Sequence, residues 1–320
     1  MPKTYYINQL ETGQTLEDEQ FGINSLKRAL DKNNNPYLDI EFVDKTGTIK
    51  AKVWSDTLSR IDDKALTEGE IVEISASVRE FNGRNQLTVY NIKPSEEKDL
   101  ADYLPVTSKD IDELWKDFVE YVEKVEDKGI KKLLQALIST YEKEIKKNPA
   151  AKSVHHHYVG GLLEHVVEML KISESVVSLY EEADKDLVIA GCILHDIGKI
   201  RELYIDGFQI DYTPEGKLVG HIPLGVKILN ELLLSNGNKG SEVLDEQTRL
   251  KLEHIILSHH YVLEFGSPVT PKTIEAMIVS KIDDLSSKVR LVQKILYNNR
   301  ENSSKFAPRE FGLEGEVYLG

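Results

Sequence analysis

The chain has 320 residues, a length that accommodates two or three domains of about 100–200 residues each. Hydrophobic residues make up 40% and charged residues 29%, as in ordinary globular proteins. No apolar run approaches the ~18–20 residues that cross a bilayer. The single cysteine, Cys192, excludes an internal disulfide. We therefore expect a soluble, cytoplasmic protein with no membrane association.

The net charge of −14 argues against a broad basic surface for polyanions. However, residues 21–95 hold 11 basic and 11 acidic side chains, so this neutral stretch is the less repulsive place for a nucleic acid.

The first ~95 residues show the two-residue periodicity of β-strands. Turn signals at 44–47 and at Asn82-Gly83 separate paired segments, which is the pattern of two hairpins. The alternating segments are 37–43, 49–53, 72–78 and 87–89. Several short antiparallel strands predict a small all-β, OB-like barrel, which we place at residues 15–95.

A charged linker at residues 96–110 separates this barrel from a helical domain at residues 111–300, and residues 301–320 are expected to be an irregular tail. Gly198 follows the helix predicted at about 186–197 and is a candidate C-cap for it. A short hairpin is plausible between 203 and 217, where Asp206-Gly207 and Pro214-Glu215-Gly216 are turn signals. Helical periodicity predicts helices at about 161–180, 186–197, 222–235, 246–260 and 272–298.

The chemistry-bearing residues are concentrated in the helical part, because all nine histidines lie between residues 155 and 260. His195 and Asp196 end an apolar helix, where a buried carboxylate is costly unless a cation compensates it. Mixed imidazole and carboxylate ligation suits first-row metals such as Mn, Fe, Co or Zn. His165 and Asp283, from separate helices, can complete such a site.

This pattern resembles the HD superfamily of metal-dependent phosphohydrolases, an all-α fold. The order His165, His195-Asp196, Asp283 matches its ligand order, and the string Ile193-Leu194-His195-Asp196-Ile197-Gly198-Lys199 resembles its central motif. The resemblance implies one or two divalent transition-metal ions. Asp196 would then contact both ions, and Lys199 would stabilise charge on a transferring phosphoryl group.

A closer resemblance, to the YhaM-type 3′–5′ exoribonucleases, covers nearly the whole chain. That family places an OB-fold nucleic-acid-binding domain before the HD domain, which implies single-stranded RNA as substrate, single-stranded DNA as a further possible one, and Mn²⁺ as the metal. The chain departs from the family at Asp283-Asp284-Leu285-Ser286-Ser287, where Asp-Ala or Asp-Gly is expected after the leucine. The matching strings are His155-His156, Gly160-Gly161-Leu162-Leu163-Glu164-His165, Leu257-Ser258-His259-His260 and Glu264-Phe265-Gly266-Ser267-Pro268.

Three further histidines are candidate metal ligands. His221 begins a predicted helix and is either a capping residue or, by the resemblance, a ligand of a second metal. His259 and His260 are about 100° apart on one helix, so both can border one cavity and at least one is expected to bind metal. Asp284, the rival of Asp283, can instead pair with Lys288 at i,i+4.

The remaining candidates are substrate contacts, and each has a structural alternative. His155 and His156 either bind a substrate phosphate or belong to a loop. In the β region, aromatic faces can stack bases and cations can follow phosphates, although Trp54 is also a candidate core residue. These β-region candidates are Phe81, Arg79, Arg84, Lys52 and Trp54.

Three functions follow from these residues. The first is a metal-dependent 3′–5′ exoribonuclease. The second is an HD phosphohydrolase acting on a small nucleotide, with the barrel used for protein contact. The third is a non-enzymatic single-stranded-DNA-binding factor. The complete ligand set argues against the third and the barrel against the second, so we favour the exoribonuclease. A homo-oligomer remains open.

Overall fold

The computed structural model describes residues 3–61, 66–81, 83–96, 102–104, 106–107, 109–151, 158–234, 243–299, 304–307, 309 and 312–320. The chain divides into two compact units, one of Met1–Val106 with Ile205–Asp211, the other of Thr107–Tyr204 with Tyr212–Gly320. Among the described residues, none of the helices has the length and apolarity that a membrane span requires.

The first unit is a closed five-stranded barrel with strand order β1-β2-β3-β5-β4. β3 and β5 pair in parallel, and the other neighbouring strands are antiparallel. A small closed barrel of this kind is OB-like, so the predicted all-β fold is confirmed. The strands are β1 (Thr15–Leu30), β2 (Pro36–Asp44), β3 (Gly47–Val53), β4 (Ile71–Phe81) and β5 (Arg84–Pro94), and the short helix α1 (Ser55–Leu58) follows β3.

Alternation along the strands fills the barrel, because every second side chain points inward. On β2 these are Leu38, Ile40 and Phe42, all buried. The long strand β1 pairs with β2 through its second half and with β4 through its first half. Its pairing register shifts near Leu16 and again near Ile23, and such irregularities bend a strand so that it can close a barrel.

The second unit is helical, which confirms the predicted all-α fold. Its centre is α5, in which every residue from Leu187 to Leu194 is buried. Asp184 caps α5 by accepting from the amides of Asp186 and Leu187. The helices are α2 (Ile111–Glu123), α3 (Lys128–Lys147), α4 (Gly161–Val177), α5 (Lys185–Leu194), α6 (Lys199–Glu202), α7 (Pro214–Val219), α8 (His221–Leu234), α9 (Glu246–Ser258) and α10 (Ile274–Asn298).

The hairpin predicted between 203 and 217 is present as β6 (Leu203–Asp206) and β7 (Gln209–Tyr212). Its tip belongs to the barrel unit, where Phe208 packs with Val43, Ile71 and Tyr103. Pro214-Glu215-Gly216, interpreted as a turn, instead begins α7. Thr213 caps that helix and Pro214 stands in its first turn, where a missing N–H is harmless.

The tail also differs from the expectation of irregular structure. β8 (Phe306–Ala307) pairs with β9 (Val317–Tyr318) in an antiparallel ladder. Ala307 is buried in one cluster with Leu291 and Ile295 of α10. Strands of two residues are too short to show a periodicity, so the sequence pattern gave no signal for them.

Candidate metal centre

Five helices of the second unit bring the seven predicted metal ligands together. α4 provides one histidine, the chain just after α5 provides His195 and Asp196, and α8 begins with another. His259 and His260 follow α9, and Asp283 lies on α10. Within each of two groups the potential ligand atoms lie within 4.8 Å of one another. Group one is His165, His195 and Asp283, and group two is Asp196, His221, His259 and His260.

Asp196 connects the two groups. Its Oδ2 lies 3.3 Å from Nε2 of His195 in group one. Its Oδ1 lies 3.6 Å from Nε2 of His221 and 3.5 Å from Nε2 of His259 in group two. Each carboxylate oxygen therefore faces a different group, as a residue that contacts two cations would require.

Three of the imidazoles hold Nδ1 against an oxygen that can only accept. Because a carbonyl or an ionised carboxylate cannot donate, Nδ1 carries the ring proton and Nε2 carries the lone pair that a metal needs. The Glu202 carboxylate suits this role, because hydrogen bonds from His221 outweigh its burial and lower its pKa. The three pairs are His195 with the Cys192 carbonyl at 2.9 Å, His259 with the Ile256 carbonyl at 2.8 Å and His221 with Glu202 Oε1 at 3.0 Å.

The donor set fits a divalent cation. Four buried side-chain atoms lack a hydrogen-bond partner among the described residues, and three of them are Asp196 Oδ1, His221 Nε2 and His259 Nε2. In addition, Nε2 of His165 lies 3.3 Å from Nε2 of His195, an arrangement that favours a positive charge between them. Leaving such atoms buried and unpaired costs free energy, and a cation among them removes that cost.

The ionisation states agree with this fit. Burial favours the neutral forms of Asp196 and Asp283, but neighbouring cationic and histidine groups lower the pKa of both, so both carboxyls are ionised. Burial lowers the pKa of His259 to about 4, which keeps its imidazole neutral. For His195, the Asp196 charge outweighs burial and raises the pKa, and the same negative charge attracts a cation. Neutral imidazole with ionised carboxylate suits a divalent transition metal.

Lys199 lies beside this centre, in the first turn of α6. Its Nζ is 2.5 Å from Asp196 Oδ2. Burial alone would lower the pKa of this ammonium, but Asp196 raises it above its usual value. A fixed positive charge therefore stands next to the carboxylate that joins the two groups.

Gly198 differs from its predicted role as a helix C-cap. Its φ of −60° is right-handed, so no left-handed turn requires glycine here. Instead, a Cβ at this position would lie 1.9 Å from the carbonyl oxygen of His221 and 2.6 Å from the backbone nitrogen of Gly225. The absence of a side chain lets the start of α8 approach, and this places His221 next to Asp196.

Replacing Gly198 by Ala should therefore displace α8. We expect a loss of unfolding free energy of about 1–3 kcal/mol from overpacking, and weaker metal binding because His221 moves. Gly315→Ala is the matched control, since a Cβ at Gly315 has no atom within 4 Å. Urea unfolding and metal content measure both effects, and equal behaviour of the two variants would contradict the close-approach role.

Other histidines and carboxylates lie away from the centre. Asp284 pairs with Lys288 at 3.0 Å, as expected for the rival of the ligand candidate on the same helix. His254 accepts from the Lys272 amide at 2.9 Å. The predicted substrate contacts His155 and His156 lie outside the described residues.

The β-region candidates include an aromatic pair on the outer face of the barrel. Trp54 is 43% exposed, which excludes the core alternative, and its ring centroid lies 5.3 Å from that of Tyr37. The Nζ of Lys52 lies 4.6 Å from the Tyr37 ring centroid and 3.0 Å from Asp39 Oδ1. Sequence reasoning missed Tyr37, although it stands one position before the inward-facing Leu38 and so faces outward.

The other candidates flank the β4–β5 turn. Phe81 pairs with Arg84 at the end of the ladder, and the Phe81 ring is 62% exposed. Arg84 is exposed, and Arg79 is exposed with its Nε donating to Ser77 Oγ at 3.4 Å. This turn thus combines an exposed ring with two cations, the composition that base stacking and phosphate contact use.

Comparisons with known proteins found similarities to parts of the chain. The family model described as "HD domain" matches residues 162–288. The second OB-fold domain of replication protein A from Methanococcus maripaludis covers 29% of this chain and 96% of its own, at 21% identity and a TM-score of 0.23.

Full-length relatives are more similar. A protein of Geobacillus sp. (strain WCH70) named 3′-5′ exoribonuclease YhaM is 32% identical over 299 residues, covering 92% of this chain and 89% of the relative. The protein of the same name from Bacillus subtilis (strain 168) is 33% identical over 306 residues, covering 94% and 93%. With such identity across both units, the chain belongs to the YhaM family of 3′–5′ exoribonucleases.

Proposed function

We propose that this protein is a divalent-metal-dependent 3′–5′ exoribonuclease that removes nucleotides from single-stranded RNA. The observation that carries the proposal is the convergence of seven side chains. Three of their buried atoms, Asp196 Oδ1, His221 Nε2 and His259 Nε2, have no hydrogen-bond partner among the described residues. Family membership supports the reaction and its direction. Single-stranded DNA is a second substrate of the same chemistry.

The chain's own residues divide the work of phosphodiester hydrolysis. His165, His195 and Asp283 would hold one ion, and Asp196 with the group-two histidines would hold a second. A divalent cation supplies Lewis acidity and makes water a nucleophile near neutral pH. Lys199, charged and next to Asp196, would neutralise charge that develops on the phosphoryl oxygens during in-line attack.

The donor set limits the metal to a first-row divalent ion, and the family resemblance implies Mn²⁺. Imidazole nitrogens with carboxylate oxygens accommodate Mn²⁺ as well as Fe, Co or Zn, and we propose Mn²⁺. Two groups of ligand atoms joined by Asp196 favour two ions per chain. Metal analysis of the purified protein would give both the identity and the number.

The barrel would hold the strand. Trp54 offers an exposed ring face for a base, the half-buried Tyr37 packs against it, and Lys52 lies beside Tyr37. Phe81, Arg79 and Arg84 would form a second contact at the β4–β5 turn. His155 and His156 would contact a substrate phosphate, as the family resemblance suggests.

A time course on a 5′-labelled single-stranded RNA with added Mn²⁺ tests the proposed function. The labelled product should shorten one nucleotide at a time, because attack begins at the 3′ end, and EDTA should stop the reaction. An intact strand alongside hydrolysis of a free mononucleotide would instead identify a small-nucleotide phosphohydrolase. Repeating the assay with DNA of the same sequence measures the preference between the two polymers.

Replacing Trp54 by Ala should weaken strand binding. A stacked base contributes about 1–3 kcal/mol, so we expect the Kd for single-stranded RNA to rise about tenfold to a hundredfold. Fluorescence anisotropy in EDTA measures binding without cleavage. Tyr5→Ala is the control, since Tyr5 is similarly exposed at 41%. An equal rise in Kd for both variants would show that Tyr37 and Trp54 are not part of the RNA-binding surface.

A further inference from the structure

The Nδ1 of His165 has a different kind of hydrogen-bond partner from the Nδ1 atoms of the other oriented histidines. Its Nδ1 lies 3.3 Å from the hydroxyl oxygen of Ser286. A hydroxyl can donate or accept, whereas the partners of His195, His221 and His259 can only accept. The tautomer of His165 therefore depends on where the single hydroxyl proton of Ser286 goes.

Glu168 determines the direction of that proton. Ser286 Oγ lies 3.1 Å from Glu168 Oε1, and an ionised carboxylate only accepts. Ser286 is 1% exposed, so water does not compete for its hydroxyl. With its proton donated to Glu168, the hydroxyl can accept from Nδ1–H of His165. Nε2 is then left with its lone pair for a cation that it would share with Asp283, whose Oδ1 is 3.2 Å away.

Arg290 fixes Glu168 in turn. Its Nε donates to Glu168 Oε2 at 2.8 Å, and its second guanidinium nitrogen reaches the same oxygen. The guanidinium also bonds Glu164 Oε1 at 3.2 Å. Arg290 thus occupies Oε2 and leaves Oε1 for Ser286.

The helix geometry explains why these residues meet. Glu168 follows His165 by three residues on α4, and Ser286 follows Asp283 by three residues on α10. Residues at i,i+3 lie on one helix face, so each helix presents a candidate ligand together with its support.

We propose that Ser286 and Glu168 are positioning residues that orient His165 and raise the metal affinity of group one. The relay runs from His165 through the Ser286 hydroxyl to the Glu168 carboxylate. This proposal rests on one part of the proposed function, namely that group one binds a metal. Removing such hydrogen-bond partners of a ligand typically costs about 10–100-fold in metal affinity.

Titration of the metal-free full-length protein with Mn²⁺, with the free ion read by EPR, tests the relay. Ser286→Ala removes the hydroxyl and should raise the Kd of one ion about 10–100-fold. Glu168→Gln should act similarly. Arg290, which only donates, will hold the amide oxygen, so the amide NH₂ faces Ser286 and the hydroxyl loses its acceptor. Both changes break the same relay. The double variant should therefore lose no more affinity than the single variant that binds Mn²⁺ more weakly.

Ser287→Ala is the matched control. Its hydroxyl is one residue further along α10 and donates to the Asp284 carbonyl at 3.1 Å, so its removal should leave both Kd values unchanged.

The outcomes separate the two proposals. A wild type that binds two Mn²⁺ ions, with unchanged Kd values in both variants, would overturn the relay and leave the proposed function intact. Fully additive losses in the double variant would also overturn it, because independent contacts add. A wild type that binds no Mn²⁺ would remove both proposals. If Ser286→Ala does not fold, as judged by circular dichroism, the Kd of Glu168→Gln decides.

Discussion

Replacing Asp196 by Asn is expected to lower kcat on single-stranded RNA by about a thousandfold or more. The amide keeps the shape of the side chain but removes the charge whose two oxygens face both groups of ligand atoms. Metal-ion stabilisation of developing charge is worth several kcal/mol, and each ~1.4 kcal/mol is a factor of ten in rate. Single-turnover degradation of a 5′-labelled strand at saturating Mn²⁺ measures this loss.

Asp284→Asn controls for the loss of a carboxylate near the site. Asp284 lies on α10 beside Asp283, but it pairs with Lys288, and its removal should change kcat little. Metal analysis of Asp196→Asn should show fewer bound ions at unchanged helical content. If Asp196→Asn retained wild-type kcat and its full metal content, the role of Asp196 as the residue joining two ions would be lost.

A single strand of about 15–20 nucleotides should be degraded with a much higher kcat/KM than a dinucleotide. OB folds occupy about 4–16 nucleotides, and each stacked base adds about 1–3 kcal/mol until the surface is filled. The exposed rings of Trp54 and Phe81 are the structural reason to expect such stacking. A series of strands from two to twenty nucleotides, assayed at one salt concentration, measures the dependence.

Salt and base pairing provide the controls for this length effect. Binding of the long strand should weaken as salt rises, because the proposed phosphate contacts by Lys52, Arg79 and Arg84 would release counterions. A duplex of the same length should be a poor substrate, because paired bases hide the faces that stack. Equal kcat/KM for dinucleotide and long strand, with no salt dependence, would favour the small-nucleotide phosphohydrolase.

The convergence of the candidate ligands could be predicted from the sequence, but their support could not. His195-Asp196 after a fully apolar helix indicates a buried charge that needs compensation, and the family motif adds His165 and Asp283. By contrast, Glu202 and Glu168 look like ordinary surface glutamates in the sequence. Their roles depend on which histidine lies opposite in space, and a helical period carries no information about a neighbouring helix.

Gly198 shows the same limit for backbone contacts. A glycine after a helix favours a left-handed cap, so the sequence suggested that role. The structure instead uses the missing Cβ for the approach of the His221 carbonyl, 23 residues later in the chain. Long-range packing therefore decided the function of this residue, and local propensity did not.

In the barrel, the predictable features were local and the unpredicted ones were not. The hairpins of β2–β3 and β4–β5 follow from alternation and turn residues. β1 was not predicted as a separate strand, because its register shifts near Leu16 and Ile23 interrupt the two-residue period. No sequence pattern predicted that Phe208 would be buried with Val43, Ile71 and Tyr103.

We expect the oriented imidazoles to make the stability of this protein depend on the metal supply. Nδ1 of His195, His221 and His259 is fixed by the fold itself, so their Nε2 atoms are ordered before any ion arrives. An unfolded chain cannot offer that arrangement, and a ligand that binds only the folded state stabilises it by about 2.7 kcal/mol at a hundred times its Kd. Chelation should therefore lower Tm as well as stop turnover. A cell short of the metal would then lose the protein itself, because a less stable chain is degraded faster.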